Sequence, residues 1–257
     1  MGGSPITYIW ATQLRSEGLM TMPTHIFFDL GDTLLDLRGL VPEMERQVGS
    51  HFPKLRSYAR KIAFDWVRKT IELIREAQGH AFRPGTEISA TALCAAMTQG
   101  GSEVDFRTAL DLVRSAWGNY VKRARFYDDV TPGLLTALHR RMKITGIVTD
   151  SDASIMEPLI ARLNLREFFD VIVLSESVGA YKPNPRIFLE TLRESRGTAG
   201  TSLFVSDSTV DLSGAAAVGM GTIWIRRRSS PEDAGRFSPT RTIASLAELP
   251  QVLDQWH

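Results

Sequence analysis

A chain of 257 residues is long enough for one large domain, or for a core domain carrying a modest second one. Hydrophobic residues make up 43% and charged residues 23%, the balance of an ordinary globular protein rather than a disordered or fibrous one. With 30 basic against 29 acidic residues there is no electrostatic footprint for nucleic acid or for an anionic membrane, so neither is expected as a partner.

The first 21 residues stand apart. Their apolar run, 6–12, is too short for a secretory signal and is followed by Arg15 and Glu17. Met20 and Met22 lie just before the first strand pattern, so 1–21 is expected to be a disordered leader or a start-site artefact. Next comes Thr24-His25-Ile26-Phe27-Phe28-Asp29-Leu30-Gly31-Asp32-Thr33. Its apolar run reads as a buried strand that stops at an acid. From 42 to 122 the texture is helical: 42–50, 54–78, 86–98 and 103–122 carry apolar residues at helical spacing, broken by Gly79, Arg83-Pro84-Gly85 and Gly100-Gly101. Trp66 and Trp117 read as the core of this helical block. The single cysteine, Cys94, lies within it; it excludes an internal disulfide, no Cys/His cluster has zinc spacing, and a reducing, cytoplasmic setting is expected.

From Tyr127 the rhythm becomes helix and strand in alternation. Thr131 and Pro132 start a helix to 141, with Thr131 as N-cap. Strands follow at 143–149, 171–174, 203–206 and 222–226, with helices at 153–163, 185–196 and 212–218 between them. A polar loop at 229–239 and a last short strand and helix over 242–253 close the chain. No run reaches the ~20 apolar residues needed to span a bilayer. Such alternation predicts an α/β fold, a Rossmann-like parallel sheet covered by helices on both faces. One strand cannot make a sheet, so 22–40 must join 125–257 in a discontinuous core. The helices of 41–124 then form an inserted cap over the sheet edge that carries the acids. Arg226-Arg227-Arg228 reads as the solvated end of a strand.

Each core strand ends in polar residues able to face one site: Asp29, then Thr149-Asp150, then Lys182 in Tyr181-Lys182-Pro183-Asn184-Pro185, then Asp207 and Asp211 in Ser206-Asp207-Ser208-Thr209-Val210-Asp211. Taken singly each is a common cap or turn residue. Taken in this order, the chain resembles the haloacid dehalogenase-like hydrolases, in the branch whose helical cap follows the first strand. Asp29-Leu30-Gly31-Asp32-Thr33 matches that family's Asp-x-Asp-x-Thr except at Gly31, and Gly214-Ala215 and Val218-Gly219 follow the last motif.

The resemblance implies a Mg²⁺-dependent phosphatase acting on a small phosphorylated metabolite through an aspartyl-phosphate. It implies that Asp29 is the nucleophile, that Thr149 and the adjacent amide at Asp150 hold phosphoryl oxygens, and that Lys182 neutralises nucleophile and phosphate. By the same resemblance Asp29, the Gly31 carbonyl, Asp207 and Asp211 hold the metal. Gly31 stands where the family's acid–base Asp belongs. Asp32, one residue on, and Asp150, where the family often has Asn, are the candidate substitutes; Asp150 otherwise reads as an outward cap for the helix at Ala153. Arg38 is a conceivable anion contact, as is Arg83. The chain is expected to act as a monomer or homodimer. Two alternatives stand beside the phosphatase: a catalytically weak phosphate-binding or regulatory module, and a 2-haloacid dehalogenase, whose leaving halide needs no proton.

Overall fold

The computed structural model describes residues 22–77, 82–227 and 237–256. The expected leader at 1–21, the Gly79 breaker, Arg228 and most of the loop at 229–239 lie outside the described residues. The sheet starts with β1 (His25–Phe28), every residue of which is buried. The chain then leaves the sheet for four helices, α1 (Leu40–His51), α2 (Ala59–Glu76), α3 (Gly85–Gln99) and α4 (Phe106–Val121). These pack in a closed circuit, α1 on α2, α2 on α3, α3 on α4 and α4 on α1. Met44, Val48, Ile62, Trp66, Leu93 and Val113 are buried there.

The remainder is α5 (Pro132–Arg141), β2 (Ile144–Thr149), α6 (Ala153–Leu163), β3 (Val171–Leu174), α7 (Ser175–Val178), α8 (Pro185–Ser195), β4 (Ser202–Ser206), α9 (Thr209–Ala217), β5 (Gly221–Ile225), β6 (Arg241–Ile243) and α10 (Leu249–Asp254). The strands form one six-stranded sheet in the order β3-β2-β1-β4-β5-β6, every pairing parallel. Side chains alternate across it: Ile26, Phe28, Ile147 and Val205 join the core on one face, Phe27, Val148, Val173 and Phe204 that on the other. Burial on both faces is why these strands read as unbroken apolar runs.

Local chemistry sets the helix starts. Thr131 accepts the Leu134 N–H (3.1 Å) with Pro132 at the first helical position, as expected. α9 begins at Thr209, earlier than its apolar pattern suggested, because Ser208 accepts the Asp211 N–H (3.3 Å) and so places Asp211 in the first turn. α7, a single turn of Ser-Glu-Ser-Val, carries no apolar periodicity and was not anticipated.

Gly214 lets α9 press against the loop that carries Lys182. A Cβ there would meet the Pro183 carbonyl, and would lie 2.8 Å from both the Pro183 Cα and the Phe188 ring. Overpacking costs about 1–3 kcal/mol where neighbours yield, and backbone yields least. Gly214→Ala is expected to lower stability by about 3 kcal/mol, read as a fall in the urea midpoint at unchanged slope.

Candidate active site

Strand register brings the candidate residues together. Phe28 pairs with Ile147 on one side and Val205 on the other, so β1, β2 and β4 end close together at one edge of the sheet. Asp29, one residue past β1, donates its amide to the Val205 carbonyl (2.9 Å). Strand order reverses at β1, and open parallel sheets bind ligands at the carboxyl edge of that switch point. Thr149 at the end of β2 and Asp207 just past β4 share this edge.

Lys182 is the centre of the cluster. Its side chain is 2% exposed, and its Nζ pairs with the Asp29 carboxylate and, at 2.8 Å, with Asp211. Burial works against the ammonium charge, but Asp211, Asp29 and Asp150 outweigh it and hold the lysine pKa well above its usual value. The acids outnumber that one cation. Burial, then repulsion from Asp29, Asp32 and Asp211, pushes Asp207 up to about 7. Burial also raises Asp29 above the ordinary carboxylate range, against the pull of Lys182.

Several residues at this edge had no role in the sequence reading. Thr33 is fully buried and bridges two acids: its hydroxyl lies 3.2 Å from Asp29 Oδ2 and 3.3 Å from Asp207 Oδ1, and it accepts the Asp207 N–H at 3.0 Å. Trp224 on β5 donates its indole N–H to the Asp207 carbonyl (3.1 Å). Arg227 departs from the expected solvated strand end. Its side chain is 9% exposed, donates to the Thr33 carbonyl (2.8 Å) and to Asp129 (2.7 Å), and stacks 4.2 Å from the centre of the Tyr127 ring. The signal was present only as a basic residue following an apolar strand, which does not distinguish an inward clamp from a solvated end.

The substitute acids are placed differently from one another. Asp32 sits at a left-handed φ of 54°, and its carboxylate accepts the Tyr127 hydroxyl (3.0 Å), so the structure ties it to Tyr127 rather than to Asp29. Asp150 does not cap α6. It accepts the Lys182 N–H (3.0 Å), while the Ala153 N–H goes to Glu176 (2.7 Å). Burial pushes Asp150 up to about 7, so near neutral pH much of it is uncharged. A Cβ at Gly31 would lie 2.7 Å from Leu37 Cδ1, so an apolar side chain fills the space of the missing acid. Arg38 is held by Asp36 through two bonds, of 2.7 and 2.6 Å, and the Arg38 guanidinium draws Asp36 down to about 2. Arg83 lends its carbonyl to Tyr181 (2.7 Å).

Above this edge lies a cavity of about 760 Å³ between core and cap. Asp32, Asp150 and Ser151 line it from the core, and Leu37, Val41, Phe64, Val67, Ile71 and Trp117 are among its walls. Trp66, expected in the helical core, is buried there and also borders the cavity. The cap is latched beside it: Asp152 accepts the Gly85 and Thr86 N–H groups (2.7 and 2.8 Å) at the start of α3.

The donor set was tested for the implied cation. Among the described residues no three His, Cys, Asp or Glu side chains gather around one point, so the expected trio of Asp29, Asp207 and Asp211 is not assembled. Asp211 is instead taken up by Lys182, whereas Asp29 and Asp207 share the Thr33 hydroxyl. Asp29 and Asp207, joined through one hydroxyl, offer the carboxylate oxygens that Mg²⁺ uses while keeping several waters, and the surplus of acids favours a cation. The residues fit.

A parallel sheet of this order, an all-helical insert after the first strand and an Asp–Lys–Asp cluster at the switch point define a class of hydrolase. The family model for haloacid dehalogenase-like hydrolases matches residues 23–219, and the chain belongs to that family. It is 37% identical over 123 residues to the pyrimidine 5'-nucleotidase YjjG of Escherichia coli, a match spanning 47% of this chain and only 53% of that protein. It is 28% identical to the glyceraldehyde 3-phosphate phosphatase of Pyrococcus furiosus (89% of this chain, 91% of that one). It is 26% identical to (S)-2-haloacid dehalogenase 1 of Pseudomonas sp. CBS-3 (88% and 94%). In structure it resembles the putative hydrolase YfnB of Bacillus subtilis bound to magnesium (TM-score 0.76, 20% identity, 91% of this chain and 100% of that one). It is similarly close to the L-2-haloacid dehalogenase of Xanthobacter autotrophicus (0.75, 19%, 92% and 100%). Among the described residues no helix is long and apolar enough to cross a membrane.

The raised Asp150 pKa has a consequence for stability. The folded state holds this proton up to about pH 7, whereas the unfolded carboxyl releases it near 4. Folded protein therefore binds more protons across that interval, and stability falls as pH rises through it. Asp150→Asn removes the titration. In metal-free buffer the variant is expected to gain on the wild type in urea midpoint between pH 5 and pH 7.5; a pH-independent difference would refute the assignment.

Proposed function

We propose that the protein is a Mg²⁺-dependent phosphatase that hydrolyses a small phosphorylated molecule through Asp29. The observation that carries this reading is the buried Lys182–Asp29 pair at the sheet edge, beneath a cavity of small-molecule size. An Asp carboxylate beside a fixed ammonium is a nucleophile already aimed. Its Oδ attacks phosphorus to give an aspartyl-phosphate, which water then cleaves. In this reading Thr149 and the Asp150 amide, at the end of β2, donate to phosphoryl oxygens.

Charge decides whether phosphate can enter. A carboxylate ~4 Å from one phosphate charge is opposed by about 4 kcal/mol at an effective dielectric of 20. Lys182 offsets one such interaction, and Asp150, partly protonated near neutral pH, weakens another. Asp29 and Asp207, with the Gly31 carbonyl, would hold Mg²⁺, which would supply the remaining positive charge and favour the ionised form of both acids. Thr33 keeps those two carboxylates in register. Asp211 acts through Lys182, pairing with the same ammonium that meets Asp29.

Whole-length similarity to a sugar-phosphate phosphatase supports this reading. A dehalogenase reading draws on the apolar Leu37 at the acid position and on relatives of that activity, but the acid surplus that favours a cation weighs against it. Halide release from 2-chloropropionate without Mg²⁺, in a chain inert to phosphate esters, would reverse the order. A binding module would bind vanadate yet turn over nothing.

Asp29→Asn is expected to reduce phosphate-ester hydrolysis to background while leaving the fold intact by circular dichroism. Activity surviving that change would refute the nucleophile assignment. Gly31→Asp restores the missing acid, but its side chain needs the space of Leu37. The double variant with Leu37→Ala is therefore expected to raise kcat on alkyl phosphates by about 100-fold, with aryl phosphates gaining far less.

A further inference from the structure

We infer that the leaving group of the substrate is a flat aromatic ring system, so that the natural ester is an aryl phosphate seated against α2. This rests on the phosphatase reading and adds to it the class of the alcohol. Three independent features of the cavity lead there.

The first is the pattern of α2. Ala59, Ile62, Ala63 and Trp66 form one apolar stripe, buried against the other cap helices. Phe64, Val67, Ile71 and Ile74 form a second, and all four line the cavity. Phe64 is 53% and Ile71 46% exposed, so these large apolar side chains meet open space rather than protein. Phe64 and Ile71 thus give α2 an exposed apolar surface on the cavity side, which marks a binding wall.

The second is where the polar groups of the wall have gone. Thr70 donates to the Trp66 carbonyl (2.8 Å), and the Trp66 indole N–H donates to Ser89 (2.9 Å). The Gly85 and Thr86 amides are given to Asp152, and Arg38 to Asp36. Glu45 and the exposed Arg60, its guanidinium carbon 5.9 Å from the Phe64 ring centre, are the charged cap residues left on the wall. A sugar or other polyol gains nothing from Phe64, Val67 and Ile71, and meets only Glu45 and Arg60 among the charged cap residues of the wall. A ring system loses nothing there, and Trp117 adds an aromatic surface.

The third is the empty acid position. Leu37 fills the space a side chain at 31 would take. In the first step the Asp29 oxygen–phosphorus bond forms, the ester P–O bond breaks, and its electron pair departs on oxygen. An alkoxide must be protonated as it leaves. A phenolate is stable enough to leave as the anion and take its proton from water afterwards. The cavity and the missing acid select the same alcohol.

The test compares four monoesters or anhydrides with Mg²⁺ present: 2-naphthyl phosphate, cyclohexylmethyl phosphate, ribose 5-phosphate and acetyl phosphate. The kcat/KM for 2-naphthyl phosphate is expected to exceed those for the cyclohexylmethyl and ribose esters by about 100-fold, the usual worth of a leaving-group acid. It is expected to exceed that for acetyl phosphate, a good leaving group with no ring, by about tenfold. Phe64→Ser with Ile71→Ser, both at half-exposed positions, should cost 2-naphthyl phosphate about tenfold more than it costs acetyl phosphate, chiefly in KM. Turnover of acetyl phosphate with no preference for the naphthyl ester, or equal losses in the double variant, would overturn the aryl assignment and leave the phosphatase reading standing. No turnover of any of the four would overturn both.

Discussion

Everything at the sheet edge depends on one buried ammonium. Lys182 is almost wholly removed from water and holds its charge only because Asp29, Asp211 and Asp150 surround it. The dependence runs both ways. Without the lysine, Asp29 and Asp211 would be largely buried carboxylates that have lost their paired cation, a state that costs several kcal/mol and ends in protonation. In the proposed reaction the group that keeps Asp29 ionised is also the one that meets the substrate's charge. The two ends of the chain's α/β core, β1 and the loop before α8, must meet for this pair to exist.

The rest of the edge is arranged to keep that pair aligned. Thr33 spaces Asp29 from Asp207, and Trp224 and Arg227 hold Asp207 and the Thr33 carbonyl from β5 and just beyond it. Arg227 also joins Tyr127 and Asp129, and Tyr127 in turn holds Asp32. A substitution at Asp129, in the linker leading to α5, therefore acts on the loop of the nucleophile. Interactions of this kind position catalytic groups rather than touch the reacting atoms.

Much of the fold was legible because its signals are local or periodic. Unbroken apolar runs marked strands buried on both faces, and Thr131-Pro132 and Asn184-Pro185 marked helix starts, where Asn184 does accept the Arg186 N–H (3.0 Å). Asp29, Thr149 and Asp207 were readable because each lies where a strand ends, and Lys182 because its proline-flanked loop leads into a helix. Side-chain direction was not. Nothing in the sequence says that Asp211 turns to Lys182, that Asp150 takes an amide on the Lys182 loop rather than capping α6, or that Arg227 points inward. These outcomes depend on long-range contacts. The second apolar stripe of α2 was visible as spacing, but spacing alone does not separate a core face from a cavity wall.

The latch of the cap ties opening to disassembly. Asp152 lies two residues past Asp150, and Tyr181 adjoins Lys182 in the chain; both grip the segment entering α3. An outward swing of that segment must either rupture three hydrogen bonds or drag along the two loops that present the ammonium and its supporting carboxyl. On the proposed reading, escape of product and loss of the Asp29–Lys182 alignment become a single movement.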